Sequence, residues 1–385
     1  MGAREAAEMP SFHALMRLGR LKFIPSSFIL ALLGALSGDI NGAACHGIDG
    51  AANGSAAGGG GLTDSVFRFR VEAFVPVAFI VACSHVMTHF CSEYFNYAAD
   101  LANAQRGKWN GGSGVLPAGM LPRWTALVAA SVLFAGSIGA QLAFFNASAQ
   151  RVAWAAMFLS CAYAGPPFKL QYRGFGEATV AVVLTCCVPA MGALMQRRDD
   201  AFALPTSLRT IIPLLSVQQF VRMMVMNLPD IESDLQCGKI TLTARMGPER
   251  VARVYRFAQY AIGVVAVGLF GSGHMTCPML IAFLVATTNR LSLSRRLDEI
   301  VFGGAASGTT KVDHDARGKK CDTAAAITAA AGTVDPKTTT RPYTTTALAF
   351  GDLPYHATIH VASTALMLVV AQALGLMMQT QHYYY

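Results

Sequence analysis

Residues 227–247 read NLPDIESDLQCGKITLTARMG, and residues 211–226 before them, IIPLLSVQQFVRMMVM, are almost wholly apolar, interrupted chiefly by Gln218, Gln219 and Arg222. The apolar run reads as a helix buried in a membrane. Three acids, Asp230, Glu232 and Asp234, then stand at its lip. Carboxylates crowded beside a low-dielectric region are costly unless a cation shares the site. A helix advances about 100° per residue, so Asn227, Asp230 and Asp234 share one face and Glu232 points elsewhere. Two carboxylates one turn apart suit a hard divalent cation such as magnesium, whose shell is completed by water and substrate phosphate. The plainer alternative is a helix end whose acids pair with Lys239 or Arg245.

The rest of the chain supports a membrane setting. Hydrophobic residues make up 53% of the 385 residues and charged residues 14%, with a mean hydropathy of +0.42. Soluble domains carry about 25% charged residues. Stretches near the ~20-residue length of a span place nine helices at 13–36, 72–98, 122–145, 150–165, 175–196, 209–228, 251–271, 275–290 and 357–378. The fold class is therefore all-α, a multi-pass transmembrane bundle that forms one membrane domain over 1–385.

Lys and Arg cluster in alternate connections, from Arg4, Arg17 and Arg20 through Arg106, Lys169, Lys239 and Arg245 to Arg295 and Arg296. By the positive-inside rule this puts the N-terminus and those loops on the cytoplasmic side. The net charge of +8 thus follows from topology. No basic stretch is interleaved with aromatics as a nucleic-acid groove requires. Nine scattered cysteines suggest buried thiols rather than zinc or disulfides, and MGAREAAEMP lacks the form of a cleaved signal peptide. Residues 39–65, rich in Gly and Ala, read as a flexible outer loop, and 303–346, rich in Thr and Ala, as a disordered inner loop. Asn53 and Asn146 open glycosylation-like triplets.

A second polar stripe lies in SHVMTHFCSEYFNYAAD (84–100), where His85, His89, Glu93, Asn96 and Asp100 recur at steps of 4, 4, 3 and 4. That spacing puts five polar side chains on one helix face, and such residues within a span normally line a cavity. His85 and His89 invite a zinc reading, but Glu93 is the sole further ligand nearby, so a polar pocket wall is preferred. Each acidic helix end is followed by a loop with glycine and base. The first holds Arg106, Lys108 and the run Gly111-Gly112-Ser113-Gly114; the second holds Lys239 and Arg245. Glycine-turn amides and cationic side chains both suit phosphate. A diphosphate held by magnesium at the membrane surface, its tail among the helices, fits both halves.

These segments resemble the UbiA superfamily of intramembrane prenyltransferases. Asn96–Asp100 (NYAAD) is similar to its NxxxD motif, Asn227–Asp234 (NLPDIESD) to its NxxDxxxD motif, and GKITLTARMG to the sequence that follows. RLKFIP (20–25) and YAGPPFKLQYRGFGEA (163–178) resemble its first helix start and the loop before its fifth helix. GGSGVLPAG and PDIESDLQCGKITL are nearest the MenA-like branch, which prenylates 1,4-dihydroxy-2-naphthoate. The likeness runs from about residue 15 to 260. Tyr97 stands where many members have a second Asp, Glu93 stands where an amide is common, and the two long loops have no counterpart in compact members.

The resemblance implies nine helices around a central cavity and a magnesium-dependent transfer of a prenyl chain from a prenyl diphosphate to an aromatic acceptor. Asp100, Asp230 and Asp234, with Asn96 and Asn227, are expected to hold magnesium. Arg20, Arg106, Lys169, Arg173 and Lys239 are expected to bind the departing diphosphate. Tyr94, Phe95, Tyr97 and Tyr163 are candidates to shield a carbocation. The acceptor expected is 1,4-dihydroxy-2-naphthoate or a related quinone precursor of the menaquinone type. The rival acceptors are 4-hydroxybenzoate, homogentisate and polyketide phenols, and the rival class is a lipid-binding or transport protein without catalysis.

Overall fold

The computed structural model describes residues 11–37, 69–103, 106–107, 110–303, 350 and 353–381. The expected loops at 39–65 and, apart from Gly303, 303–346 lie outside these residues, as does Asn53. Within them the chain is helical and contains no strand. A short helix α1 (Ser11–Leu18) meets α2 (Ile24–Ser37) through a tight turn at Leu21–Phe23, with a bend of 46°. The long α3 (Val71–Phe95) breaks at Asn96 into the short α4 (Tyr97–Ala102). Next come α5 (Arg123–Phe144), α6 (Ala147–Ala164) and α7 (Gly176–Gln196). Helix α8 (Thr206–Asn227) gives way through Leu228–Asp230 to the short α9 (Ile231–Gln236). Short α10 (Leu242–Met246) precedes α11 (Pro248–Gly271), α12 (Cys277–Asp298) and α13 (Leu353–Gln381).

Seven of these helices are long and apolar enough to span a bilayer, and the bent α1–α2 pair makes an eighth. The remaining rod, α6, is 18 residues long and falls short of that standard. The eighth span, expected at 275–290, runs on to Asp298. Helix α7 is the central post: 67% of its most apolar window is buried, against 17% for α5. Outward-facing Val128, Val132, Leu142, Val264, Val267, Leu366 and Val370 give α5, α11 and α13 an apolar exterior suited to lipid.

Helices in lipid associate by close packing, since lipid offers no hydrophobic drive between them. The α2–α7 crossing shows this at two glycines. A Cβ on Gly34 would lie 1.9 Å from the Pro189 carbonyl oxygen, and one on Gly192 would lie 2.2 Å from that of Ala31. Both obstacles are backbone, so neither can swing aside. Helix α7 also opens into one wide π-type turn at Val183–Cys187, where Thr185 Oγ1 donates to Ala181 O and meets Ser216 Oγ on α8. The bulge turns Val183 and Leu184 toward a central cavity. Replacing Gly192 by alanine should force α2 and α7 apart at a cost of about 1–3 kcal/mol. Thermal unfolding in detergent should show a lowered midpoint, and an unchanged midpoint would contradict the crossing.

Candidate active site

One end of the bundle encloses a cavity of about 210 Å³ walled by α2, α3, α6, α7 and α8. Its mouth is built where two long helices break at an asparagine. At the first break Asn96 caps α3, its backbone N–H bonding Ser92 O. Its side chain donates to Ser92 Oγ and exchanges bonds with Gln171, receiving from Gln171 Nε2 at 2.7 Å and donating to Gln171 Oε1 at 3.2 Å. At the second break Asn227 Nδ2 donates to Glu177 Oε1 at 3.0 Å. Glu177 is fully buried and also receives the N–H and the hydroxyl of Thr243, which ties the asparagine to the segment after α9. The two helix tips, α4 and α9, pack against each other, so Asp100, Asp230 and Asp234 line the same space.

The three carboxylates are met differently. Asp230 accepts from Asn103 Nδ2 and Asn110 Nδ2, both at 2.9 Å, and from the Gly111 amide at 3.1 Å. Asp234 Oδ1 pairs with Lys239 Nζ at 3.1 Å, while its Oδ2 is buried with no partner. Asp100 sits against the glycine loop, where a Cβ on Gly112 would lie 2.5 Å from its Cγ. Burial, then the nearby charge of Glu93, pushes the Asp100 carboxyl up to about 7. Burial alone would lower the Lys239 ammonium; Asp234 outweighs it, and Lys239 is held above the ordinary lysine range.

Glu93 behaves differently from its neighbours on the stripe. His85, His89, Asn96 and Asp100 line the cavity, but Glu93 does not. Buried behind the wall, it accepts from Arg20 Nε and Nη2 at 3.0 and 2.7 Å and from the amide and hydroxyl of Ser113 at 2.6 and 2.7 Å. It therefore clamps the glycine loop to the α1–α2 turn and aims Arg20 at the mouth. The loop's glycines serve this architecture. Gly111, Gly112 and Gly114 all adopt positive φ, and the Gly111 and Ser113 amides go to the protein's own carboxylates rather than facing outward for a phosphate.

The sequence profile of the UbiA prenyltransferase family matches residues 54–299, more than half of the chain. This chain belongs to the UbiA prenyltransferase family. No curated protein sequence matches it. Among solved structures, digeranylgeranylglyceryl phosphate synthase is similar over 94% of this chain and 99% of its own, with 12% identity and a TM-score of 0.54. A UbiA homolog from Archaeoglobus fulgidus, bound to DMAPP and Mg2+, is similar over 92% and 98%, with 13% identity and a TM-score of 0.50. The apo UbiA homolog from Aeropyrum pernix K1 is similar over 75% and 91%, with 12% identity and a TM-score of 0.54. At these identities the likeness concerns the fold.

Of the site residues expected in this UbiA chain, Asn96, Asp100, Asn227, Asp230, Asp234, Arg20 and Lys239 line one cavity. The other three cations do not. Arg106 lies beneath the glycine loop, donating from Nη2 to Asp100 O at 2.6 Å. Lys169 lies over the Tyr172 ring, and Arg173 donates to Pro167 O at the exposed surface. Among the aromatics Tyr163 reaches the cavity, whereas Tyr94 and Tyr97 sit under the Arg123 guanidinium. The glycosylation-like Asn146 spends its side chain capping α6 and bonding Leu194 O. Unforeseen contributors are Asn103 and Asn110, which hold Asp230, and Gln171 and Glu177, which hold Asn96 and Asn227 from far along the chain. The embedded Glu177 carried a weak signal, as an acid opening an otherwise apolar span.

Among the described residues no three His, Cys, Asp or Glu side chains converge into a protein-only metal cage. The donors nevertheless fit magnesium, which takes one or two carboxylates and completes its shell from water and phosphate. The unpartnered Asp234 Oδ2 and the Asp100 carboxyl, held back from full ionisation, are the oxygens left open. Because a proton must leave Asp100 before a cation can bind it, magnesium affinity should rise with pH, by about tenfold from pH 6 to pH 8. Calorimetric titration of the purified protein checks this; an affinity flat across that range would contradict it.

Proposed function

We propose that the protein transfers the prenyl group of a prenyl diphosphate to an aromatic acceptor of the 1,4-dihydroxy-2-naphthoate class, a quinone precursor, with release of diphosphate. The observation that carries this reading is the meeting of both asparagine–aspartate helix tips, with Arg20 and Lys239, at the mouth of one cavity. The mouth offers oxygens for a cation and fixed positive charge for phosphate. Below it Ile80, Val81, Val188 and Met191 provide apolar walls for an isoprenoid chain.

Asp100 and Asp234, with Asn96 and Asn227, would hold magnesium. When bound, magnesium neutralises the diphosphate and makes it a better leaving group. Lys239 and Arg20 face the leaving oxygens, where negative charge grows as the allylic C–O bond breaks, so their attraction is stronger in the transition state than in the bound substrate. Asp230, which accepts from two amides and the Gly111 N–H, holds the glycine loop across the mouth. Tyr163 turns an aromatic ring into the cavity where the departing chain carbon becomes electron-poor. Walls that exclude water leave the ring carbon of the acceptor as the nucleophile; it forms the new C–C bond as the C–O bond breaks, and the group that carbon carried, a proton or a carboxyl lost as carbon dioxide, leaves to restore the aromatic ring.

The DMAPP and Mg2+ bound by the similarly folded Archaeoglobus protein support the donor half of this reading. The acceptor half rests on the likeness of GGSGVLPAG and the second motif to the naphthoate-prenylating branch. Positive charge favours a cytoplasmic mouth: Arg17, Arg123, Arg250 and Arg253 surround that end, whereas Arg70 and Arg197 meet at the other.

Purified protein supplied with magnesium, labelled geranylgeranyl diphosphate and a panel of acceptors tests the proposal. Prenylation of dihydroxynaphthoate above 4-hydroxybenzoate, homogentisate or polyketide phenols is expected. Asp234→Ala should lower turnover by about 100-fold or more with its fold retained by circular dichroism. Full turnover in that variant would remove the metal assignment, and the absence of any magnesium-dependent diphosphate release would leave a binding protein.

A further inference from the structure

Arg222 lies five residues before Asn227, about 7.5 Å deeper along α8 by the helical rise. It is buried, and it lines the same cavity. Every partner its guanidinium shows is neutral: Nε donates to Gln219 Oε1 at 3.1 Å, Nη1 to Thr358 Oγ1 at 2.9 Å, and the methionine sulfurs of Met223 and Met226 are close by. No carboxylate among the described residues pairs with it. A lone guanidinium at this depth is costly and in a membrane protein points to a functional position, and one that lines a cavity offers its charge to an anion.

Its surroundings show a polar pocket beyond the needs of a hydrocarbon tail. His85 Nδ1 meets Ser27 Oγ at 2.7 Å, and the buried His89 Nε2 has no partner. His89 is stacked by Phe23, ring centroids 5.6 Å apart. The cavity thus has two cationic levels, Arg20 and Lys239 at the mouth and Arg222 below. A prenyl diphosphate has one anionic end, and the mouth takes it.

We propose that Arg222 is the anchor of a second anion subsite, which takes the carboxylate of an aromatic acid acceptor and orients its ring within the cavity, with His89 and Ser27 as polar neighbours. This rests on the function proposed above for the mouth, and it adds the group that selects the acceptor. Arg222 is a specificity-determining residue in this scheme and holds no part of the diphosphate.

The test measures binding as well as turnover. Equilibrium binding of 1-hydroxy-2-naphthoate to the full chain should weaken about 10- to 100-fold in Arg222→Gln, recover in part in Arg222→Lys, and remain intact in Lys239→Gln. Binding of the prenyl diphosphate should change little in Arg222→Gln, and the thermal midpoints of the variants report whether they are folded. In turnover, KM for an aromatic acid should rise, while a phenol lacking the carboxylate should show the same KM in both proteins. Naphthoate binding unchanged by Arg222→Gln overturns the proposal, even where the protein transfers prenyl groups. Equal loss for the acid and the carboxylate-free phenol also overturns it, as does oleate binding as tightly as the naphthoate with the same dependence on Arg222. Loss of naphthoate binding in Arg222→Gln without any prenyl transfer by the wild type would uphold the subsite and refute the transferase reading.

Discussion

Negative charge confined at the mouth of a membrane cavity is the constraint around which this protein is arranged. Two helix tips bring Asp100, Asp230 and Asp234 together, with Glu93 and Glu177 just behind the wall. In such surroundings unpaired carboxylates would protonate or drive the tips apart. Four of the five are met, each by a different device. Three N–H donors face Asp230, Lys239 meets half of Asp234, Arg20 and Ser113 take Glu93, and Asn227 with Thr243 takes half of Glu177. At the mouth, what remains uncompensated is the second oxygen of Asp234 and the Asp100 carboxyl; behind the wall, the second oxygen of Glu177 is likewise buried without a partner. A divalent cation with its phosphate would complete that balance.

The same compensation builds the entrance. Because Asp230 and Glu93 consume the amides of Gly111 and Ser113, the loop between α4 and α5 is tied to both helix tips and to the α1–α2 turn. A loop with four glycines at positive φ would otherwise be free to move. Its tie to the acids makes mouth geometry depend on the charges it surrounds. The helices below are held by contact rather than charge, as at Gly34 and Gly192, where backbones touch. Shape is thus set by close packing and reactivity by the polar rim.

Local patterns in the chain carried much of this. The spans follow from hydropathy, and their ends fall within a few residues of Val71–Phe95, Arg123–Phe144 and Pro248–Gly271. The shared face of Asn227, Asp230 and Asp234 follows from helical period, as does the outward Glu232, which is exposed. Placement departs from the local pattern where a side chain's partner is remote. Glu93 has the spacing of a cavity residue, yet it lies off the cavity, where Arg20 and Ser113, remote in sequence, hold it behind the wall. Lys169 and Arg173 share a basic loop with the expected motif, yet that loop sends Gln171, not its cations, toward Asn96.

The sequence by itself determined that this chain is a bundle of membrane helices with two asparagine–aspartate signatures, because hydrophobicity and helical period are properties of neighbouring residues. Only the tertiary structure decided which cations reach the cavity, where Arg20, Lys239 and Arg222 enter while Arg106, Lys169 and Arg173 stay outside. It also decided that the glycine amides serve Asp230 and Glu93. Those outcomes depend on how each helix is rotated and crossed against the others, and that rotation is set by contacts between segments far apart in the chain.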